Sequence, residues 1–214
     1  MDIKAIIGAV PRYVVFVSQL LRSPPDTLKP YNDRGKIAPA LVGDLVVGLC
    51  VAYAIVWAIE PSEATEGTPA LLRLVGEVGE FWLPVDVVVV VAIVTIVFHV
   101  LARIFLAVHH AQGQEQQTPP QLAGTMQDSV NAALAFASVF APALCAAALA
   151  ANLVISPART EPKVLFLVIA SIPAVFTLAY FPWCLSATHP ETNWTQAFVA
   201  VAVTLVVVYM TVLG

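Results

Sequence analysis

Three side chains that could carry acid–base or charge chemistry, Asp44, His99 and Arg103, lie inside long apolar stretches of the sequence. A lone charge at membrane depth costs about 2.5–3.5 kcal/mol on insertion scales, so such residues are expected to have partners or functions. Asp44 and Arg103 lie at similar depths, each counted from the same end of its own apolar segment. We therefore predict an ion pair between Asp44 and Arg103, with His99 one helical turn from Arg103 on the same face.

His99 admits three chemical roles. It could be a hydrogen-bonded structural histidine, a proton-relay or transport residue, or a ligand for haem or (bacterio)chlorophyll. A haem held by two histidines is disfavoured because His109 and His110 end the same predicted helix and His189 falls in a loop. The sequence therefore requires no cofactor, and the cluster of Asp44, His99 and Arg103 remains open as the polar track of a small transporter or channel.

Signatures of catalysis are missing from the sequence, which contains no GxSxG, HExxH or GxxxxGK[ST] motif. The His109-His110 pair has no carboxylate at metal-ligand spacing, since Glu115 follows five residues later in a Gln-rich segment. The three cysteines, which form no CxxC pair, are Cys50, Cys145 and Cys184. We predict that the protein is not an enzyme, with no catalytic residue, no metal and no disulfide framework.

The composition is typical of an integral membrane protein. Of the 214 residues, 59% are hydrophobic and only 11% are charged, and the mean hydropathy is +0.86. Soluble domains carry about 25% charged residues, so this composition excludes a soluble enzyme. The formal net charge is −4, and no basic patch in the sequence is large enough to indicate a nucleic-acid partner.

Five apolar segments are long enough to cross a membrane as helices. Membrane-barrel strands would be shorter and would alternate polar with apolar residues, which these segments do not. We predict an all-α transmembrane bundle, with a domain over 35–214 and spans at about 37–59, 83–108, 130–155, 164–185 and 194–213.

The N-terminal part, residues 1–34, has a different pattern. Residues 3–21 place apolar side chains on one helical face and polar or basic ones largely on the other, which is typical of a helix lying in the membrane interface, with a sixth membrane span as the alternative. We expect Pro11 to bend or divide this helix. The basic residues expected at the lipid headgroups are Lys4, Arg12 and Arg22.

Loop charges predict the orientation. Six of the ten Lys and Arg residues precede the first span, and five Glu residues lie in the loop after it. The positive-inside rule then places the N-terminus in the cytoplasm and, after five spans, the C-terminus outside. We expect the bilayer and other membrane proteins as partners, in a bacterial inner membrane.

Small residues at four-residue spacing mark the third span as a packing helix, because they let helix backbones approach closely in lipid. We predict that it is the most buried of the five, and that Asn131 and Asn152 hydrogen-bond across helices. Kinks are expected at Pro142, Pro173 and Pro182. The small residues, in two series, are Ala133, Ala137 and Ala141, then Ala143, Ala147 and Ala151.

Four local patterns resemble the Yip1-domain family, most closely its short bacterial members. Residues 16–24 are similar to the amphipathic lead-in that ends in proline, and 99–113 to a polar helix end before a Gly-containing loop. Phe136-Ala137-Ser138 followed by Pro142 resembles the opening of the family's third span, and 192–213 its last helix. The resemblance implies five clustered spans and no settled activity. The long cytoplasmic arm of the eukaryotic members, which act in membrane trafficking with small GTPases, has no counterpart here.

The sequence thus predicts a non-catalytic integral membrane protein that organises or scaffolds partners. One special case is an accessory subunit of a larger redox or photosynthetic complex. The alternative from a different class is the transporter or channel described above.

Overall fold

The computed structural model describes residues 3–32, 36–57, 82–111, 124–155, 163–189 and 192–212. In those ranges the regular structure is helical, without strands, which confirms the predicted all-α class. The seven helices are α1 (Ile3–Arg22), α2 (Pro24–Asn32), α3 (Pro39–Trp57), α4 (Leu83–Ala111), α5 (Met126–Ile155), α6 (Lys163–Thr188) and α7 (Trp194–Val212).

Three of these helices are long and apolar enough to cross a membrane. The qualifying stretches are Pro39–Trp57 in α3, Pro84–Ile104 in α4 and Met126–Ala150 in α5, while α7 contributes a shorter apolar stretch, Trp194–Val207. Each of the five predicted segments coincides with one helix, α3 to α7.

Helix α5 begins four residues before the predicted boundary because a capping box starts it. The Asp128 carboxylate accepts hydrogen bonds from the Thr125 backbone N–H at 2.8 Å and the Thr125 hydroxyl at 2.7 Å. The Asp128 N–H in turn donates to the Thr125 hydroxyl at 3.3 Å. Asn193 and Gln196 cap α7 in the same reciprocal way.

Helix α5 is the centre of the bundle and packs against α2, α3, α4 and α6. In its apolar stretch 56% of the residues are buried, against 33% in each of the other two candidate spans. The prediction that it is the most buried helix is thus confirmed among these three. Ala133, Ala137 and Ala141 are buried as expected.

The second alanine series does not continue that packing face. Ala143 is exposed and Ala147 half-buried, while the side chain of Ala151 lies outside the described residues. Cys145 and Ala148 carry the buried face onward instead. Ala143 follows Ala141 by two residues and lies on the opposite side of the helix, so the second series marks a different face of α5 from the first.

Helix α1 packs on α2 and α3 through Tyr13, Phe16 and Leu20, which are buried. Val10 and Val14, which the sequence pattern grouped with Leu20, are exposed. Burial follows the aromatic residues because the Tyr13 hydroxyl has a hydrogen-bond partner in the bundle. The helix runs through Pro11 as one assigned element, so the expected division is not seen.

The partner of Tyr13 is a carbonyl that proline leaves open. In a regular helix the Ser138 carbonyl accepts from the N–H four residues on, but that residue is Pro142, which has none. The Tyr13 hydroxyl donates to the Ser138 oxygen at 2.6 Å in a buried contact. Burial, with the Asp44 charge adding to it, raises the pKa of Tyr13 to about 12, so the phenol remains a donor at physiological pH.

We expect Tyr13→Phe to lower the free energy of unfolding by about 1–3 kcal/mol, because it strands a buried carbonyl. In a Pro142→Ala background the same substitution should cost less, since the alanine introduced there supplies the missing N–H. Unfolding of the four proteins by SDS titration in mixed micelles, followed by circular dichroism, measures this coupling. Equal costs in both backgrounds would show that Tyr13 does not serve the proline-freed carbonyl.

Candidate functional site

Two histidines from distant parts of the chain meet in the bundle. His99 Nδ1 on α4 lies 3.4 Å from His189 Nε2, just after α6. The Ser129 hydroxyl, in the first turn of α5, lies 3.2 Å from His99 Nδ1 and 3.0 Å from His189 Nε2. His189 and Ser129 are fully buried. We call these three residues the His99–Ser129–His189 cluster.

Neighbouring groups hold His189 on every side. The Thr188 hydroxyl lies 3.0 Å from its Nδ1, and Phe98 meets its ring edge to face with centroids 5.0 Å apart. The backbone N–H and hydroxyl of Thr192 donate to its carbonyl at 3.0 and 3.1 Å. A side chain at Gly124 would collide with the ring, since a Cβ there would lie 2.7 Å from His189 Cδ2. The imidazole is therefore fixed in position.

Arg103 does not connect Asp44 to this cluster, because the two side chains have different partners. Its carboxylate accepts from the Arg12 guanidinium of α1 at 3.1 Å, while Arg103 donates to the Gly124 carbonyl at 2.9 Å. The predicted Asp44–Arg103 pair is therefore wrong. The sequence argument considered only partners on other spans, whereas α1 packs directly against α3 and brings Arg12 to the carboxylate.

The structure also qualifies the basic residues expected at the lipid headgroups. Arg12 remains 58% exposed but is bonded to Asp44. Arg22 is exposed at the end of α1, and the side chain of Lys4 lies outside the described residues. Asn131 bonds to the segment just before α3 and not to another helix: it accepts from the Ala38 N–H and donates to the Lys36 carbonyl, both at 3.0 Å, so it fixes the start of α3 on α5. Asn152 is not described at the side-chain level.

Chemically, a hydroxyl between two imidazole nitrogens can both cross-link helices and pass a proton, since each group donates or accepts according to its tautomer. Within the described ranges, no three His, Cys, Asp or Glu side chains lie together in a way that could hold a metal ion. Sequence reasoning missed Ser129 and His189 as partners of His99. In an up-and-down bundle the helix directions bring the later part of α4 and the end of α6 to the same side, but they do not say which side chains meet there.

Electrostatics set the charge of His189, which lies outside the predicted spans. Burial lowers its pKa to about 4 and the neighbouring His99 adds to this shift, with a smaller contribution from Arg103. A hydrogen bond with the Leu185 backbone and the Asp128 carboxylate oppose it. His189 is therefore neutral at physiological pH.

We expect the stability of the protein to fall as the pH is lowered from about 6.5 towards 4. An unfolded histidine titrates near pH 6.5 and folded His189 near 4, so the unfolded chain binds more protons in this window. The slope attributable to one such group is at most about 1.4 kcal/mol per pH unit. Melting temperatures in detergent at pH 7, 6 and 5 should fall for the wild type and change less for His189→Gln. An unchanged pH dependence in the variant would assign it to other groups.

Comparison with protein-family models, curated proteins and solved structures gives no match for this chain.

Proposed function

We propose that the protein is a non-catalytic membrane protein, similar to Yip1-domain proteins, that organises other proteins in a bacterial inner membrane. The observation that carries the proposal is an uncovered face on the central helix. Ala143 and Ala146 of α5 are exposed and Ala147 is half-buried, although the same helix is the most buried of the candidate spans. In lipid, small residues in this spacing admit close approach of a second helix.

Contacts between elements of the bundle support an up-and-down arrangement of five spans. Asn131 near the start of α5 holds the segment before α3, and the His99–Ser129–His189 cluster joins the later part of α4, the start of α5 and the end of α6. Alternating spans would put the segment before α3, the start of α5 and the end of α6 on one side, and the positive-inside rule applied to the basic N-terminal part makes that side the cytoplasm. An accessory place in a redox or photosynthetic complex is a special case of this role and requires no cofactor in this chain.

A matched pair of variants tests the role of the uncovered face. Ala143→Leu and Ala146→Leu together should dissociate partner chains from the protein purified in mild detergent from native membranes. Ala54→Leu, which enlarges another exposed alanine on α3, should leave them bound. The chains are identified by mass spectrometry and the particle mass by native mass measurement. Loss of the partners from both variants, or from neither, contradicts the proposal.

A second candidate function, proton transfer or transport, is favoured by the His99–Ser129–His189 cluster. The original track is divided, because Asp44 is bonded to Arg12 at 3.1 Å. The two imidazoles and the hydroxyl still lie in continuous contact, with Ser129 and His189 fully buried and His99 half-buried. Proton flux into liposomes that is lost in Ser129→Ala, with the fold retained, would favour this function over scaffolding. A visible absorption band lost in His99→Leu would instead indicate haem or chlorophyll.

A further inference from the structure

A cavity of about 610 Å³ lies between α4, α5, α6 and α7. Hydrocarbon side chains form nearly all of its wall, among them Val91, Phe140, Phe181 and Leu205. Its size falls within the range of about 300–1,000 Å³ that is usual for small-molecule sites. The cavity is therefore large enough for an apolar molecule or the tail of an amphiphile.

The cavity is elongated along the helices. On α4 its wall runs from Asp86 to Val94, eight residues apart, which corresponds to about 12 Å at 1.5 Å per residue. Thr177 on α6 also lines it, but the Thr177 hydroxyl donates to the Pro173 carbonyl at 2.8 Å. The wall between Val87 and Val94 thus suits a chain of methylene groups rather than a polar ligand.

One end of the cavity carries a carboxylate. Asp86 lies in the first turn of α4 and is half-buried, and its Oδ2 atom is buried and has no hydrogen-bond partner among the described residues. Among the described residues, the ion pair in the structure joins Arg12 to Asp44 and does not involve Asp86. A buried carboxylate oxygen without a partner is costly, so a cation or donor is expected to bind there.

We propose that this cavity binds an amphiphile with one apolar tail and an ammonium headgroup. The tail lies along the Val and Phe side chains of α4 to α7, and the ammonium group pairs with Asp86. Charge decides the class of headgroup, because an anionic head would be repelled by the carboxylate and a neutral donor would leave its charge uncompensated. The inference goes beyond the scaffolding role: on α5 the cavity is lined by Phe136, Phe140 and Leu144, and none of the exposed alanines is part of its wall.

Binding of tritiated dodecylammonium, whose head donates hydrogen bonds as well as carrying charge, to the protein in phosphatidylcholine nanodiscs tests the site, with dodecanol and dodecanoate as competitors. The unlabelled ammonium compound should compete about tenfold or more better than dodecanol, and dodecanoate worst. Asp86→Asn should remove the difference between the ammonium compound and dodecanol, whereas Asp86→Glu should keep it. The surface substitution Asp26→Asn should change nothing.

A second pair of variants separates the cavity from the surrounding lipid. Ala202→Phe fills the cavity and should abolish saturable binding, while Val89→Phe adds the same bulk to a half-exposed position of α4 outside the cavity wall and should not. Saturable binding that survives Ala202→Phe overturns the assignment of the site. Equal competition by the ammonium compound and dodecanol in the wild type overturns the headgroup class.

Discussion

Replacing Gly48 with alanine is expected to destabilise the protein more than any other single methyl group added to it. Gly48 on α3 faces the Ser138 peptide of α5 so closely that a Cβ would overlap the carbonyl oxygen and lie 3.0 Å from the carbonyl carbon. The obstacle is backbone, which cannot rotate away, so the two helices must separate. Overpacking of ordinary side chains costs about 1–3 kcal/mol, and we expect Gly48→Ala to exceed that range.

The chain provides its own control for this substitution. Gly8 lies in α1 with nothing within 4 Å of a built Cβ. Gly8→Ala should raise stability by about 0.5–1 kcal/mol, because alanine loses less conformational freedom than glycine in a helix. In a Cys50→Ser background, a thiol-reactive dye reports unfolding through the buried Cys145 and Cys184. Similar melting temperatures for Gly48→Ala and Gly8→Ala would show that α3 and α5 are not in close contact at this point.

Gly48 matters beyond its own contact because three helices meet at the Ser138 carbonyl. Pro142 withholds the intrahelical donor, Tyr13 supplies a hydroxyl at 2.6 Å, and Gly48 leaves room for α3. Displacing α3 would also move Asp44, which lies four residues before Gly48 on the same face. The N-terminal helix is thus fastened to the bundle at a proline-opened site, as expected where freed backbone groups must find partners inside a membrane protein.

The helices themselves could be predicted from the sequence. Unbroken apolar runs such as residues 87–91 must lie in protein or lipid and not in water. Each predicted apolar segment coincides with a helix in the structure. The start of α5 was also readable, since Thr125 and Asp128 have the spacing of a capping box. Local chemistry decides these features, so one sequence is enough to find them.

Partners in space could not be predicted in the same way. Several basic residues in the sequence could pair with Asp44, and the pattern of apolar residues does not say which helix packs beside α3. Ser129 and His189 had no feature that distinguished them from other polar residues at helix ends. Their meeting with His99 depends on the packing of α4, α5 and α6, which is a property of the whole bundle.

The two partners of the Arg12–Asp44 ion pair are expected to differ in how much their substitution destabilises the protein. Arg12→Met should destabilise the protein strongly, because it leaves the Asp44 carboxylate, only 3% exposed, without its partner. Breaking a fully buried pair costs about 3–5 kcal/mol. We expect the lower end here, since the Arg12 side chain is 58% exposed. Asp44→Asn should cost about 1 kcal/mol or less, because Arg12 is largely exposed and asparagine still offers it an oxygen.

Rescue distinguishes the observed partner from the predicted one. In an Arg12→Met background, Asp44→Asn should raise the melting temperature, because it removes the stranded charge. In an Arg103→Met background the same substitution should bring no gain, since Arg103 donates to the Gly124 carbonyl at 2.9 Å and not to Asp44. If only the Arg103→Met protein were rescued, the predicted Asp44–Arg103 pair would be correct after all. Rescue of Arg12→Met alone would establish that α1 neutralises the charge that α3 carries into the bundle.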